Sequence, residues 1–188
     1  SPLTYLGITH LPDYVLIGLP AHESDNPLLL PLAGHELGHS IWATQDLSSK
    51  FGSAIDAKII ADIKKRWSEY HALFQDVANP AILETDFFAQ QTWSPSADWG
   101  ARQAEETFCD FAGLRIFGES YLHAFAYLLA PKQLWVRSVL YPNLMKRVDN
   151  LVKAATSYGM QVFPGYRNEF EDLRPPNAFD RQQTFLLS

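Results

Sequence analysis

The sequence predicts a mainly helical protein with a small β-sheet region near its N-terminus, an α+β class. Apolar residues recur at helical spacing over most of the chain after residue 26. One short run of β-forming residues precedes them, and prolines and glycines stand where helices would begin or end. A chain of 188 residues with 47% apolar residues is long enough for one domain with its own core. We therefore expect residues 1–188 to form a single domain.

The β region is predicted at residues 14–19, YVLIGL, a run that lies between prolines. The first helix follows a polar, turn-like stretch. It is predicted to begin with Asn26 as N-cap and Pro27 at the first helical position, or at Pro31 if the first turn is separate. It should run to about Thr44.

The later helices are predicted from apolar periodicity and from the residues that stop them. The long ones are expected over residues 53–74, 101–117, 120–130 and 143–158. A short helix is expected within residues 79–91, after Pro80. Residues 93–100 contain Ser-Pro-Ser and are predicted to be a loop, and the tail from residue 163 is predicted to be irregular.

The charge, the cysteine content and the apolar runs of the sequence exclude several classes of protein. The net charge of −6 predicts no nucleic-acid surface, and the basic run at residues 64–66 fits a solvated helix face. The single cysteine, Cys109, excludes an internal disulfide framework and favours a reducing compartment, so we expect a cytoplasmic protein. No apolar run approaches the roughly 20 residues of a membrane span. Because the chain begins Ser1-Pro2, we expect a processed product or a domain excised from a longer protein.

The most informative stretch is residues 30–42, LPLAGHELGHSIW, which contains a HExxH motif. On a helix, His35 and His39 lie one turn apart on the same face and can bind one metal ion. Glu36 lies about 100° round the helix, where it can accept a proton from a metal-bound water. This arrangement predicts a catalytic zinc site. The extended motif HExxHxxGxxH is absent, because its last two positions are Trp42 and Gln45.

A third ligand is predicted further along the chain. Glu106 and Asp110 lie four residues apart on a predicted helix and form E-x-x-x-D. Together with HExxH, this pattern resembles that of gluzincin metallopeptidases. The resemblance implies that Glu106 completes the zinc shell and that Asp110 hydrogen-bonds the outer nitrogen of a ligand histidine. Glu105 is the alternative ligand, but it would place Cys109, a poorer hydrogen-bond acceptor, four positions on.

A further stretch, YPNLMKRV at residues 141–148, resembles the His-Pro-x-x-x-x-Arg-Ile element of the CAAX prenyl endopeptidase and its bacterial heat-shock relatives. Tyr141 takes the place of the histidine, and Arg147 matches the arginine. The resemblance implies that both side chains lie beside the zinc and hold the substrate or the developing oxyanion. The alternative is a helix start with Pro142 at its first position and an arginine on the surface. The transmembrane helices of that family are absent, so its membrane substrates are not expected here.

The resemblance implies a zincin-like fold and a zinc-dependent metallopeptidase, an endopeptidase that acts on a peptide or protein. His123, in an apolar helix, is interpreted as a core histidine, with a donor role at the site as the alternative. Two other functions stay open. One is a zinc-binding domain of a larger protein that is catalytically silent or latent, and the other is a helical interaction domain without metal. The oligomeric state is not predicted.

Overall fold

The computed structural model of the chain describes residues 4–8, 11–18, 25–130 and 142–170. Over these residues the protein is mainly helical, which confirms the principal fold prediction. The α-helices are α1 (Ala33–Thr44), α2 (Leu47–Lys65), α3 (Trp67–Leu73), α4 (Phe87–Phe117), α5 (Glu119–Leu129) and α6 (Leu144–Ser157). Short 3-10 helices cover Pro27–Leu32, Pro80–Ile82 and Tyr166–Phe170. No helix in these ranges is both long enough and apolar enough to cross a membrane.

Two strands precede the helices. Strand β1 (Thr4–Ile8) pairs with β2 (Leu11–Gly18) in an antiparallel hairpin. Thr4 lies opposite Gly18, and the register shifts between Gly7 and Ile8. Both strands contact α1, so the hairpin lies beside the helix that carries the HExxH motif.

The first helical region begins as the sequence suggests but with a tighter turn. Asn26 caps Pro27–Leu32 by accepting a hydrogen bond of 3.1 Å from the backbone N–H of Leu28. The α-helical geometry starts only at Ala33, and the helix ends at Thr44. The 3-10 turn carries Pro31, whose missing N–H is tolerated near a helix start.

The predicted single helix over residues 53–74 is wrong in its continuity. The helical chain already starts at Leu47 and breaks at Arg66, which has φ −108° and ψ 33°. The break redirects α3 so that Tyr70 is fully buried against the apolar residues of α2. Burial of a large aromatic side chain outweighs the lost helical hydrogen bonds at one residue.

The loop predicted at residues 93–100 is also wrong, because α4 continues through Pro95. Asp86 caps the helix by accepting a hydrogen bond of 2.8 Å from the Ala89 backbone N–H. Trp93 is buried, and its indole N–H donates a hydrogen bond of 2.9 Å to the Leu83 carbonyl. Such packing outweighs the roughly 3 kcal/mol that an internal proline costs a helix. The result is a helix of 31 residues that joins two apolar clusters. Trp93 packs in one with Tyr70 and Leu83, and Leu114 packs in the other with Tyr121 and Phe125.

Helices α1 and α4 pack closely because glycines lie at their contact. A Cβ on Gly34 would lie 2.8 Å from the Cα of Gly113, and a Cβ on Gly38 would lie 2.7 Å from the Cα of Cys109. These distances are shorter than van der Waals contact. The backbones can therefore approach only because both α1 positions lack a side chain. This approach brings the HExxH face of α1 against the Glu106 face of α4.

We expect Gly38→Ala to destabilise the fold by about 1–3 kcal/mol, the usual cost of overpacking. The added methyl group would meet the α4 backbone, so the two helices must separate. Gly52→Ala is the matched control. Gly52 lies within α2, and a Cβ there would meet nothing within 4 Å. That change should stabilise the helix by up to about 1 kcal/mol. Urea denaturation of both variants measures the difference, and equal stability would contradict the close-packing account.

Candidate metal centre

The imidazoles of His35 and His39 both face one carboxylate. Nε2 of His35 lies 3.3 Å from Oε2 of Glu106, and Nε2 of His39 lies 3.7 Å from its Oε1. The two rings meet edge to face with centroids 5.0 Å apart. The four-residue spacing on α1 and the glycine contact with α4 together produce this convergence. Two imidazole nitrogens therefore approach the two oxygens of one carboxylate.

The other nitrogen of each imidazole is held by a second carboxylate. Nδ1 of His35 lies 3.0 Å from Oδ1 of Asp110, and Nδ1 of His39 lies 2.8 Å from Oε1 of Glu105. A carboxylate can only accept, so each Nδ1 carries the hydrogen and donates it. In the neutral imidazole this leaves the lone pair on Nε2, directed toward Glu106. Metal-binding histidines are usually oriented in this way.

Glu106 provides a direct test of whether a metal fits. The residue is 9% exposed, and its Oε2 has no hydrogen-bond partner among the described residues. Among the described residues, two other buried side-chain oxygens also lack a hydrogen-bond partner, the hydroxyls of Ser96 and Tyr166. Two ligands about 2.0–2.1 Å from a tetrahedral zinc ion lie about 3.3 Å apart. The separations of 3.3 and 3.7 Å, each to a different oxygen of Glu106, are close to that value, so this carboxylate could share a divalent ion with the histidines.

Cys109 is a second candidate for the third ligand. Its Sγ and one nitrogen from each histidine all lie within 4.8 Å of one another. We favour Glu106 as the third ligand because its carboxylate is charged and has an unsatisfied oxygen, whereas the thiol must first lose a proton. Burial raises the pKa of the Cys109 thiol well above its usual value, and the carboxylates of Glu106 and Glu105 raise it further.

Asp110 is the centre of a buried network behind the histidines. It is 1% exposed and accepts two hydrogen bonds of 2.7 Å from Arg147, from Nε to Oδ2 and from a terminal nitrogen to Oδ1. The Tyr121 hydroxyl donates a third, of 2.8 Å, to Oδ1. Burial alone would raise the pKa of Asp110, but Arg147 and His35 outweigh it and hold this pKa well below its usual range. Asp110 therefore stays ionised and can orient His35.

The same carboxylates act on His35. Burial lowers its pKa, but the contacts with Asp110 and Glu106 outweigh burial and raise the pKa to about 9. With no metal on Nε2, these carboxylates favour the protonated ring of His35 over the neutral one. A metal ion and this proton compete for Nε2, the nitrogen that faces Glu106.

Glu36 lies on α1 between the two histidines and is 7% exposed. Burial raises its pKa, the charges of His35 and His39 oppose that rise, and Glu106 adds to it. A carboxylate with a raised pKa, beside two imidazoles and a second carboxylate, can accept a proton more readily than a solvated one. These are the properties of a general base.

Residues 141–148 supply two predicted site residues, Tyr141 and Arg147. Tyr141 lies outside the described residues. Arg147 is on α6, is buried, and directs its guanidinium at Asp110, with Glu106 3.9 Å away. This placement favours a positioning role over the predicted contact with substrate or oxyanion. The surface alternative for Arg147 is wrong. His123 is exposed and stacks on Phe163, so its interpretation as a core residue is wrong as well.

Sequence reasoning missed two functional partners. The sequence indicates Glu105 only as a rival ligand, whereas in the structure it accepts a hydrogen bond from Nδ1 of His39. The adjacent glutamates could have indicated this, because neighbours on a helix point about 100° apart and can serve different atoms. Nothing in the apolar helix around Tyr121 indicates its hydrogen bond to Asp110.

Comparison with known proteins supplies no family for this chain. No protein-family model, no curated protein and no solved structure matches it significantly. The geometry of His35, His39, Glu106 and their partners therefore carries the functional argument.

Proposed function

We propose that this chain is a zinc-dependent metallopeptidase with a zincin-like fold, which hydrolyses peptide bonds. The observation that carries the proposal is the approach of both Nε2 atoms to one buried carboxylate, with His35 3.3 Å and His39 3.7 Å from the oxygens of Glu106. Each histidine uses its Nδ1 on a separate carboxylate. A buried carboxylate is costly unless a cation lies beside it, and a metal ion on Nε2 would replace the proton of His35 in that role.

Each residue of the centre has a role in this proposal. His35, His39 and Glu106 would hold the ion, and Asp110 and Glu105 would orient the imidazoles. Zinc in such a site lowers the pKa of a bound water and polarises a substrate carbonyl. Glu36 would accept the proton from the attacking water and later deliver it to the leaving amine. The oxyanion donor is not identified among the described residues, and Tyr141 stays a candidate from the sequence.

The substrate would be a peptide or protein in extended form. Strand β2 lies beside α1 and exposes the side chains of Tyr14 and Leu16. An extended peptide can bind to a hairpin edge through main-chain hydrogen bonds. We further propose that the protein works in a reducing compartment such as the cytoplasm, since Cys109, its single cysteine, is unpaired and buried.

Measurements of zinc affinity show whether Glu106 or Glu105 is the metal ligand. Glu105→Ala removes only the partner of His39 and should weaken zinc binding about 10–100-fold. Glu106→Ala removes a direct ligand and should weaken it further, to the point where zinc is lost during purification. Competition with a chromophoric chelator measures both affinities. If Glu105→Ala loses zinc and Glu106→Ala keeps it, the ligand assignment is reversed.

Hydrolysis is tested by digesting a broad peptide library with the purified, zinc-loaded chain. We expect reproducible internal cuts that stop when a chelator removes the metal and return when zinc is restored. Chelator-treated protein is the matched control for contaminating peptidases. Full zinc occupancy without any cut would support the alternative of a catalytically silent or latent zinc domain and would contradict the peptidase proposal.

A further inference from the structure

Cys109 occupies an unusual position for a small core residue. It is fully buried on α4, three residues after Glu106 and one before Asp110. Its Sγ lies 3.0 Å from where a Cβ on Gly38 would be, so the thiol packs directly on the α1 backbone beside His39. The missing side chain at position 38 is what allows the sulfur to reach the histidine face.

The distances make the sulfur a potential ligand and not only a neighbour. Sγ and one nitrogen of each histidine lie within 4.8 Å of one another. A zinc ion with bonds of about 2.3 Å to sulfur and about 2.0 Å to nitrogen separates these atoms by about 3.5 Å. A shift of about an ångström or less per atom would therefore bring them into one coordination shell. The buried carboxylate of Glu106, whose Oε2 lies 3.3 Å from Nε2 of His35, independently indicates a cation beside this histidine.

We propose that Cys109 is a further ligand of this centre, and that the ion rests between His35, His39, Glu106 and the Cys109 thiolate. The proposal rests on the metal site of the proposed function and concerns its regulation. Binding forms a metal–sulfur bond and releases the thiol proton to solvent. No oxidation or reduction is involved.

Coordination by sulfur has a functional consequence. Catalytic zinc sites keep one position for water, whereas sites with four protein ligands are closed and structural. With Cys109 bound the shell is complete, so the wild-type chain would hydrolyse peptides only in the fraction of molecules whose thiol has left the ion, and more slowly than a chain without the thiol. Departure of the thiol opens the position that hydrolysis needs. The chain therefore contains its own inhibitory ligand, supplied by the helix that also supplies Glu106.

Cobalt substitution tests the proposal directly. The wild-type chain is loaded with one equivalent of Co²⁺, and its absorption spectrum is compared with that of Cys109→Ala. A cobalt–thiolate bond gives a charge-transfer band in the near ultraviolet, while the visible d–d bands report tetrahedral cobalt whatever the ligands. We expect the ultraviolet band in wild type and its complete loss in Cys109→Ala, with the visible bands retained. Alanine is chosen because it is small and cannot ligate.

The outcomes separate this proposal from the proposed function. Visible bands without the ultraviolet band in wild type would overturn the Cys109 assignment and leave the His35, His39 and Glu106 site intact. No cobalt binding at all would overturn the metal site itself. With zinc, Cys109→Ala should cleave peptides faster than wild type at equal occupancy. Equal cleavage rates in wild type and Cys109→Ala, despite a cobalt–thiolate band in wild type, would overturn the proposed inhibition by Cys109.

Discussion

Glu36→Gln should abolish peptide hydrolysis while leaving zinc in place. Glutamine keeps the size of the side chain but cannot accept a proton, and general-base catalysis typically contributes about 10²–10⁴ in rate. Glu36 lies between the two histidines in the sequence but is not one of the proposed ligands, so the ion should remain bound. The measurement is kcat on the fastest-cleaved library peptide, with zinc content determined on the same sample.

The burial of Glu36 makes this a specific test. Its pKa is raised because the residue is buried, so the wild-type carboxylate is already adapted to take up a proton. Glu69→Gln is the control, because Glu69 is exposed on α3 and pairs with Arg66. It should leave kcat unchanged. If Glu36→Gln hydrolyses peptide as fast as wild type with full zinc occupancy, the proposed mechanism is wrong.

Arg147→Met should destabilise the protein by about 3–5 kcal/mol, the usual cost of leaving one partner of a buried ion pair unpaired. Both hydrogen bonds of 2.7 Å to Asp110 would be lost, along with the contact of the guanidinium with the Phe125 ring at 5.2 Å. Asp110 is 1% exposed and would remain ionised or take up a proton at a cost. Urea denaturation of the metal-free protein measures the loss.

Two controls show whether the buried charge causes this loss. Arg167→Met breaks the exposed pair with Asp149, whose N···O distance is 2.8 Å, and should cost at most about 1 kcal/mol. The double change Arg147→Met with Asp110→Asn removes both charges and should cost less than the two single changes added together. Additive costs, or equal costs for Arg147→Met and Arg167→Met, would contradict the proposed role of Arg147 as the anchor of Asp110.

Part of the site could be predicted because helical spacing is a local rule. Four residues separate His35 from His39 and Glu106 from Asp110, and on a helix that spacing places each pair on one face whatever the rest of the fold does. The structure brings these pairs together across the α1–α4 contact. Glycines at positions 34 and 38 make this contact possible, but a glycine in a sequence does not reveal which backbone will approach it.

The remaining features depend on tertiary contacts and could not be predicted. Pro95 reads locally as a helix breaker, and only the burial of its neighbours shows why α4 continues. Arg66 reads as part of a helix, yet the chain turns there to bury Tyr70. Tyr121 and Arg147 converge on Asp110 from two other helices. No spacing rule connects residues on separate elements.

The most direct test of the central claim is the metal content of the purified wild-type chain, measured by mass spectrometry before and after incubation with zinc and removal of the excess. The account predicts about one zinc per chain, as a single catalytic site requires. A chain that holds no zinc even after it is supplied would contradict the account. His35, His39 and Glu106 would then form only a buried ion-pair cluster, and the metallopeptidase proposal would be withdrawn.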